Sequence, residues 1–255
     1  MRALIGLGAK ALTGLWLCLL LNPTGQASTP ERRSGFLDMS PQNQALQRNR
    51  DQSPALLERL SGLAQWRADC ATCHGEIETL SASVSRFPRL AQGSVQRLSD
   101  QINLCRVTRV KREPWGGSHP ELLSLQLALQ QAADGRPWMP ISPADGAPAA
   151  ELLERGRQLF NTRMGQLNLS CAQCHDGLAG QRLGSAVIPQ GHPNGYPLYR
   201  LEWQAVGSLE RRIRNCNTGV RAEPLDSDGA DMKALVGYLA HRARGMPLEG
   251  MAIRP

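Results

Sequence analysis

Apolar residues recur every three to four positions through four long stretches of this chain, and each stretch predicts an amphipathic helix. They are "PALLERLSGLAQWRAD" (54–69), "PELLSLQLALQQAADG" (120–135), "AAELLERGRQLFNTRMGQLNLS" (149–170) and "DMKALVGYLAHRARG" (231–245). Two shorter helical segments, "LSDQINLC" (98–105) and "LERRIRNC" (209–216), each follow a loop rich in Gly and Pro and end on a cysteine. Ile102 and Ile213 occupy matching places, and "EP" recurs at 113–114 and 223–224. The order long helix, loop, short helix, long helix is thus written twice. The joint, "GRPWMPISPADGAPA" (135–149), carries the Pro and Gly content of a linker. The pattern predicts an all-α fold of two halves related by an internal repeat, 28–148 and 149–255.

The first 27 residues stand apart. Arg2 and Lys10 flank an apolar run that leaves through the small residues Gly25 and Ala27, the layout of a cleaved signal peptide. Cys18 would leave with it. The run is short for a spanning helix and no later stretch is longer, so the expectation is an exported chain, periplasmic, with no membrane span after cleavage. Residues 28–53 are polar and turn-rich and predict an irregular N-terminal arm.

The formal charge of +7 is carried by 26 arginines and only three lysines, Lys10, Lys111 and Lys233. Guanidinium groups grip oxyanions in a two-pronged way that ammonium groups do not, although a GC-rich genome also raises arginine usage. No basic stripe interleaved with aromatics occurs, and an exported chain does not meet nucleic acid. Aromatic residues make up 4% of the sequence, few for a core of this size. A bulky apolar cofactor would fill such an interior.

The six remaining cysteines name that cofactor. "CATCH" (70–74) and "CAQCH" (171–175) are both C-x-x-C-H, the attachment pattern of haem c. Two thiols one turn apart add to the two vinyl groups, and the histidine that follows reaches the iron. Cys70 and Cys73 would hold one haem with His74 as axial ligand, and Cys171 and Cys174 a second with His175. The opposite axial position has several candidates: Met139, Met246, His119, His192, His241, or the two cysteines that close the short helices, Cys105 and Cys216. The cysteines occupy equivalent places in the repeat, which favours equivalent work as thiolate ligands. A Cys105–Cys216 disulfide is the structural alternative.

The two copies differ at one informative place. Four residues before Cys105 stands Gln101, and four before Cys216 stands Arg212, with Arg211 and Arg214 nearby. Residues four apart share a helix face. A guanidinium beside a thiolate favours the nucleophilic form of sulfur and offers a fork for an anionic substrate. Any substrate chemistry therefore belongs to the second half. Arg211 and Arg214 could equally pair with a haem propionate or cap the helix.

With these residues in place the chain resembles the SoxA family, the dihaem subunits of SoxAX cytochromes. The likeness rests on "SCAQCHDGLAGQ", "IPQGHPNGYPLYRLEWQ", "GSLERRIRNCNTGVRAEP" and "YLAHRARGMPLEGMAIRP", and in the first half on "CATCHG", "INLCRV" and "REPW". The resemblance implies two cytochrome c-like domains with two covalent haems c, each with His/Cys ligation. It implies an L-cysteine S-thiosulfotransferase that joins thiosulfate to a cysteine of the carrier SoxYZ and passes two electrons to the monohaem cytochrome SoxX. It implies that Cys216 carries a persulfide as covalent intermediate and that Arg212 binds substrate. The competing expectations are a dihaem electron carrier with no substrate of its own and a dihaem peroxidase.

Overall fold

The structure, a computed structural model, describes residues 31–255, and Arg32–Pro255 form one compact unit. The expected signal peptide lies outside the described residues. The fold is all-α in its framework. Its helices are α1 (Pro41–Arg48), α2 (Leu56–Asp69), α3 (Ala71–His74), α4 (Ser81–Val84), α5 (Leu98–Cys105), α6 (Pro120–Ala132), α7 (Ala147–Asn161), α8 (Cys171–His175), α9 (Leu209–Gly219) and α10 (Ala230–Arg242). Among the described residues no helix is long and apolar enough to cross a membrane.

Each half is built on one tight helix pair. In the first, α2 packs on α6 with Gly62 at the crossing, where an added Cβ would lie 2.0 Å from the Ser124 carbonyl oxygen. In the second, α7 packs on α10 with Gly156 at the crossing, where a Cβ would lie 2.3 Å from the Ala234 carbonyl oxygen. Ser124 and Ala234 are each the fifth residue of their helix. One turn beyond each glycine a buried aromatic, Trp66 or Phe160, enters the core.

The periodicity did not show the short strands. A hairpin precedes α5, with β1 (Arg89–Ala91) antiparallel to β2 (Ser94–Gln96). The hairpin of β5 (Leu198–Arg200) and β6 (Ala205–Gly207) precedes α9 in the same way. Both begin just after a cis proline, Pro88 and Pro197. A small hairpin of β3 (Arg182–Leu183) and β4 (Ala186–Val187) lies between. The C-terminal β7 (Ile253–Arg254) adds in parallel to β5. These segments are too short for alternation to stand out from loop sequence.

Two segments read from sequence as irregular are tied down. In the N-terminal arm, Ser40 caps α1 and Pro41 opens it, so eight arm residues are helical. Gln47 of that helix accepts hydrogen bonds from the Ile253 amide (2.9 Å) and from Arg254 Nη1 (2.8 Å), which fastens the arm to β7. The joint 135–149 is no free linker. The Trp138 amide donates to the Met246 carbonyl (2.8 Å), and the amides of Met139 and Ile141 donate to the Ser85 and Pro88 carbonyls (2.7 and 2.8 Å). Extended Pro-rich backbone cannot bond internally, so it takes partners from both halves. Trp138, Ala240, Ala243 and Met246 share one apolar cluster with Trp66 and Leu125.

Replacing Gly156 by Ala should lower stability by about 2 kcal/mol, because α7 and α10 must move apart to admit the methyl group. Gly219→Ala, where the space is open, should change stability by less than about 0.5 kcal/mol. Thermal unfolding of the intact protein measures both, and equal effects would contradict this account of the crossing.

Candidate functional site: two C-x-x-C-H helices and their distant cysteines

Each C-x-x-C-H motif forms its own short helix after a lobe's first long helix, directly after α2 in the first half and nine residues (162–170) beyond α7 in the second. In the second half Ser170 caps α8, its hydroxyl accepting from the Gln173 amide while the Gln173 side chain accepts from the Ser170 amide (3.3 and 2.9 Å). Cys171 and Cys174 then stand one turn apart. His175 Nδ1 lies 2.7 Å from the Pro189 carbonyl oxygen, which makes Nδ1 the donor and leaves Nε2 free to ligate. Gly191 permits this: its φ is +73°, and a Cβ there would press on the imidazole at 3.0 Å. Burial, the largest influence, pushes the His175 pKa below its ordinary value, so the ring is neutral at neutral pH, the ligating form. Burial also pushes the Cys171 thiol up to about 11.

In the first half the same parts are more open. Cys73 and His74 are exposed. The His74 ring lies 5.8 Å from that of Trp66, whose Nε1 donates to the Gly75 carbonyl (3.1 Å). Burial raises Cys70 to about 11, with Asp69 and Cys105 adding to the effect.

The structure brings each motif together with its distant cysteine. Cys105 lies within electrostatic reach of Cys70, and Cys216 within reach of Cys171. All six cysteines are free, so no Cys105–Cys216 disulfide is present. Of the other candidates for the second axial position, His192 and His241 each keep a buried Nδ1 with no hydrogen-bond partner among the described residues. Met246 is buried in the shared core, and Met139 lies within the joint with much of its surface exposed. His119 pairs with Glu121 (2.6 Å) on the surface. His192 is lowered to about 4, chiefly by burial and then by Arg242.

These residues fit haem c. Among the described residues no cluster of three or more His, Cys, Asp or Glu donors could hold a bare ion, whereas a porphyrin iron needs only two protein ligands. Leu104, Val107 and Leu178 lie close in sequence to Cys105 or His175 with nearly half their surface uncovered by protein. Arg242 stacks over the Phe160 ring at 4.2 Å and pairs with Asp176, yet its Nη1 is buried with no partner, a donor suited to a propionate.

Helix α9 then separates the arginines. Arg211 lies over the Trp203 ring at 4.1 Å, and Trp203 itself covers Gly207. Arg214 Nη1 donates to the Leu225 carbonyl (2.7 Å). Arg212 is half-buried, and among the described residues its guanidinium has no hydrogen bond or ion pair. It lies within electrostatic reach of His175 and Tyr196, and Tyr196 within reach of Cys216. In the first half Gln101 Nε2 donates to Cys105 Sγ at 3.2 Å. The place four residues before the cysteine therefore does face its sulfur. Gln101 is itself held by Arg89 (2.9 Å).

Sequence reading missed Tyr196. Its ring precedes the cis proline of the second hairpin where Phe87 precedes that of the first, so the second copy adds a hydroxyl. Burial raises its pKa. Lining up the two hairpins would have found it. Pro189 and Gly191 carry no signal of their own beyond a Gly/Pro-rich loop.

A family model described as SoxA/TsdA, cytochrome c domain, matches residues 63–138 and 155–248, more than half of the chain. The L-cysteine S-thiosulfotransferase subunit SoxA of Paracoccus pantotrophus is 30% identical over 218 residues, covering 82% of this chain and 74% of that one. That of Rhodovulum sulfidophilum is 29% identical over 235 residues, covering 88% and 80%. The crystal structure of SoxXA from P. pantotrophus superposes with a TM-score of 0.82 at 29% identity, covering 88% of this chain and 87% of the matched chain. With two C-x-x-C-H helices, two distant cysteines and this likeness over most of its length, the chain belongs to the SoxA family of c-type cytochromes.

Proposed function

We propose that this protein is the SoxA subunit of an L-cysteine S-thiosulfotransferase, with two covalent haems c, one in each of the lobes 28–148 and 149–255. Haem 1 would be held by Cys70 and Cys73 with His74 and Cys105 as axial ligands. Haem 2 would be held by Cys171 and Cys174 with His175 and Cys216. The partners are a SoxX-type monohaem cytochrome c and a SoxYZ-type carrier in the periplasm, reached through the signal peptide at 1–27. Support for the partner comes from the similarity to a chain of the SoxXA complex.

One observation carries the reading. At the same place in the repeat, Gln101 is bonded to Cys105 while among the described residues the Arg212 guanidinium has no hydrogen bond or ion pair. Glu202, already paired with Arg200, is within electrostatic reach of Arg212 but makes no direct ion pair with it; keeping a half-buried guanidinium without a bonded counter-ion costs stability, and an anionic substrate offsets that cost. Thiosulfate is a dianion, and its sulfonate oxygens would take the Arg212 fork. Its outer sulfur would then face the sulfur carried by Cys216 as a persulfide.

Bound haem supplies an acceptor for electrons leaving this pair of sulfurs. One S–S bond forms between the outer sulfur of thiosulfate and the sulfur at Cys216, and two electrons leave. The carrier thiolate then attacks the former outer sulfur of thiosulfate. The bond to the Cys216 sulfur breaks, and that sulfur regains its lone pair. The carrier departs with a new S–S bond to the sulfonated sulfur, and one proton is released when it starts as a thiol. Arg212 orients the dianion, and Tyr196 closes the site beside Cys216.

Arg212→Ala should lower thiosulfate-dependent sulfonation of the carrier roughly hundredfold, with haem content unchanged. Full activity of that variant with both partners would sink the assignment and leave a dihaem electron carrier. Intact mass of the mature chain should equal residues 28–255 plus two haems plus one sulfur, and the sulfur should vanish in Cys216→Ser. A mass showing one haem would contradict the dihaem reading.

A further inference from the structure

Lining up Cys105 with Cys216 pairs Gln101 with Arg212, Ser99 with Glu210, and Arg97 with Ser208. The last two pairs are also unlike, and the structure shows them meeting across the boundary between the halves. Arg97 immediately precedes α5, and its side chain is 10% exposed. Every one of its five guanidinium N–H groups is placed. Nε donates to Asp100 Oδ2 (3.1 Å). Nη1 donates to Glu210 Oε1 (3.0 Å) and to the Ser227 carbonyl (2.8 Å). Nη2 donates to Asp100 Oδ1 (2.8 Å) and Asp228 Oδ1 (2.7 Å).

We propose that Arg97, from the lobe of haem 1, is a positioning residue for the chemistry at Cys216, acting through Glu210 on the helix that presents Arg212. Glu210 lies in the first turn of α9 and is 15% exposed. Residues two apart on a helix point to roughly opposite sides. The grip on Glu210 therefore faces the first lobe, while Arg212 and Cys216 face away from it toward α8. Arg97 never meets substrate. Arg211 on Trp203, Arg214 on Leu225, Ile213 in the core and Asn217 against Met164 and Leu225 hold α9 from within the second half. The Arg97 contact to Glu210 adds a hold from the other half of the repeat. The same residue starts α5, where its amide donates to Asp100 Oδ2 (2.8 Å), so a single side chain joins the two helices that end on or carry the distant cysteines.

The inference rests on the assignment of Arg212 and Cys216, and the experiment separates the two. Steady-state kinetics use the haem-loaded complex with its monohaem partner, with thiosulfate and carrier as substrates. Glu210→Ala frees α9 from Arg97 and should raise the KM for thiosulfate about tenfold with kcat much less changed, because the Arg212 fork is displaced. A purely structural role would lower the active fraction, and so kcat, at constant KM. Glu210→Gln keeps the shape and an acceptor but not the charge, and should give a smaller rise of the same sign. Asp228→Asn touches Arg97 without touching α9 and is largely exposed, so it should leave KM within about twofold. In parallel, the low-spin EPR signal of haem 2 should broaden in Glu210→Ala while that of haem 1 stays as it was. A wild-type KM in whichever Glu210 variant folds overturns the positioning role. An active Arg212→Ala instead overturns the site on which it rests.

Discussion

Two helix backbones can touch only where a side chain is missing, and this fold makes that contact twice. Gly62 lets α2 lie on the Ser124 carbonyl, and Gly156 lets α7 lie on the Ala234 carbonyl. The crossing fixes where the first helix of each lobe ends. Trp66 and Phe160 enter the core one turn later, and the C-x-x-C-H helix follows. The attachment thiols and the histidine thus hang from a rigid crossing, which suits a cofactor that must be bonded at three points at once. Packing at van der Waals distance leaves little freedom to adjust, so the position of each motif helix follows from backbone geometry.

On this shared frame the two copies differ at most positions along one short helix, and a few of those positions, with others on its approach, set the sites apart. Gln101, Ser99, Arg97 and Phe87 in the first stand where Arg212, Glu210, Ser208 and Tyr196 stand in the second. One set gives a cysteine bonded to a neutral amide and an arginine with all its donors spent across the boundary. The other gives a cysteine within electrostatic reach of the Tyr196 hydroxyl and an arginine whose guanidinium makes no hydrogen bond among the described residues. A charged fork without partners suits a passing anion, and a fully bonded one suits a structural clasp. The two C-x-x-C-H sites therefore differ in the charge carried four residues before the distant cysteine. The second site is also the more enclosed, with His175 oriented by Pro189 where His74 is exposed.

The joint 135–149 and the N-terminal arm show how a polar or Pro-rich composition can mislead. Both read as connectors because neither repeats with a helical period. The joint carries backbone groups that it cannot satisfy internally, and the neighbouring halves supply the partners, whereas the arm forms a helix whose Gln47 side chain accepts from the Ile253 amide. Trp138 lies in a core with residues from both lobes, so 32–255 is one compact unit although its sequence is two copies.

Periodicity and spacing by themselves determined the helical frame, the repeat, the attachment motifs and the place of Arg212 relative to Cys216. Each of these depends on residues near one another in the chain, where 3.6 residues per turn fixes who shares a face. Only the tertiary structure could decide the rest. It placed Cys105 with Cys70 and Cys216 with Cys171. It gave Arg211 and Arg214 to a ring and a carbonyl, turned His175 with the Pro189 carbonyl, and carried Arg97 across to Glu210. Those contacts join residues from separate elements. Which of several chemically equal arginines finds a partner depends on distances that exist only once the chain has packed.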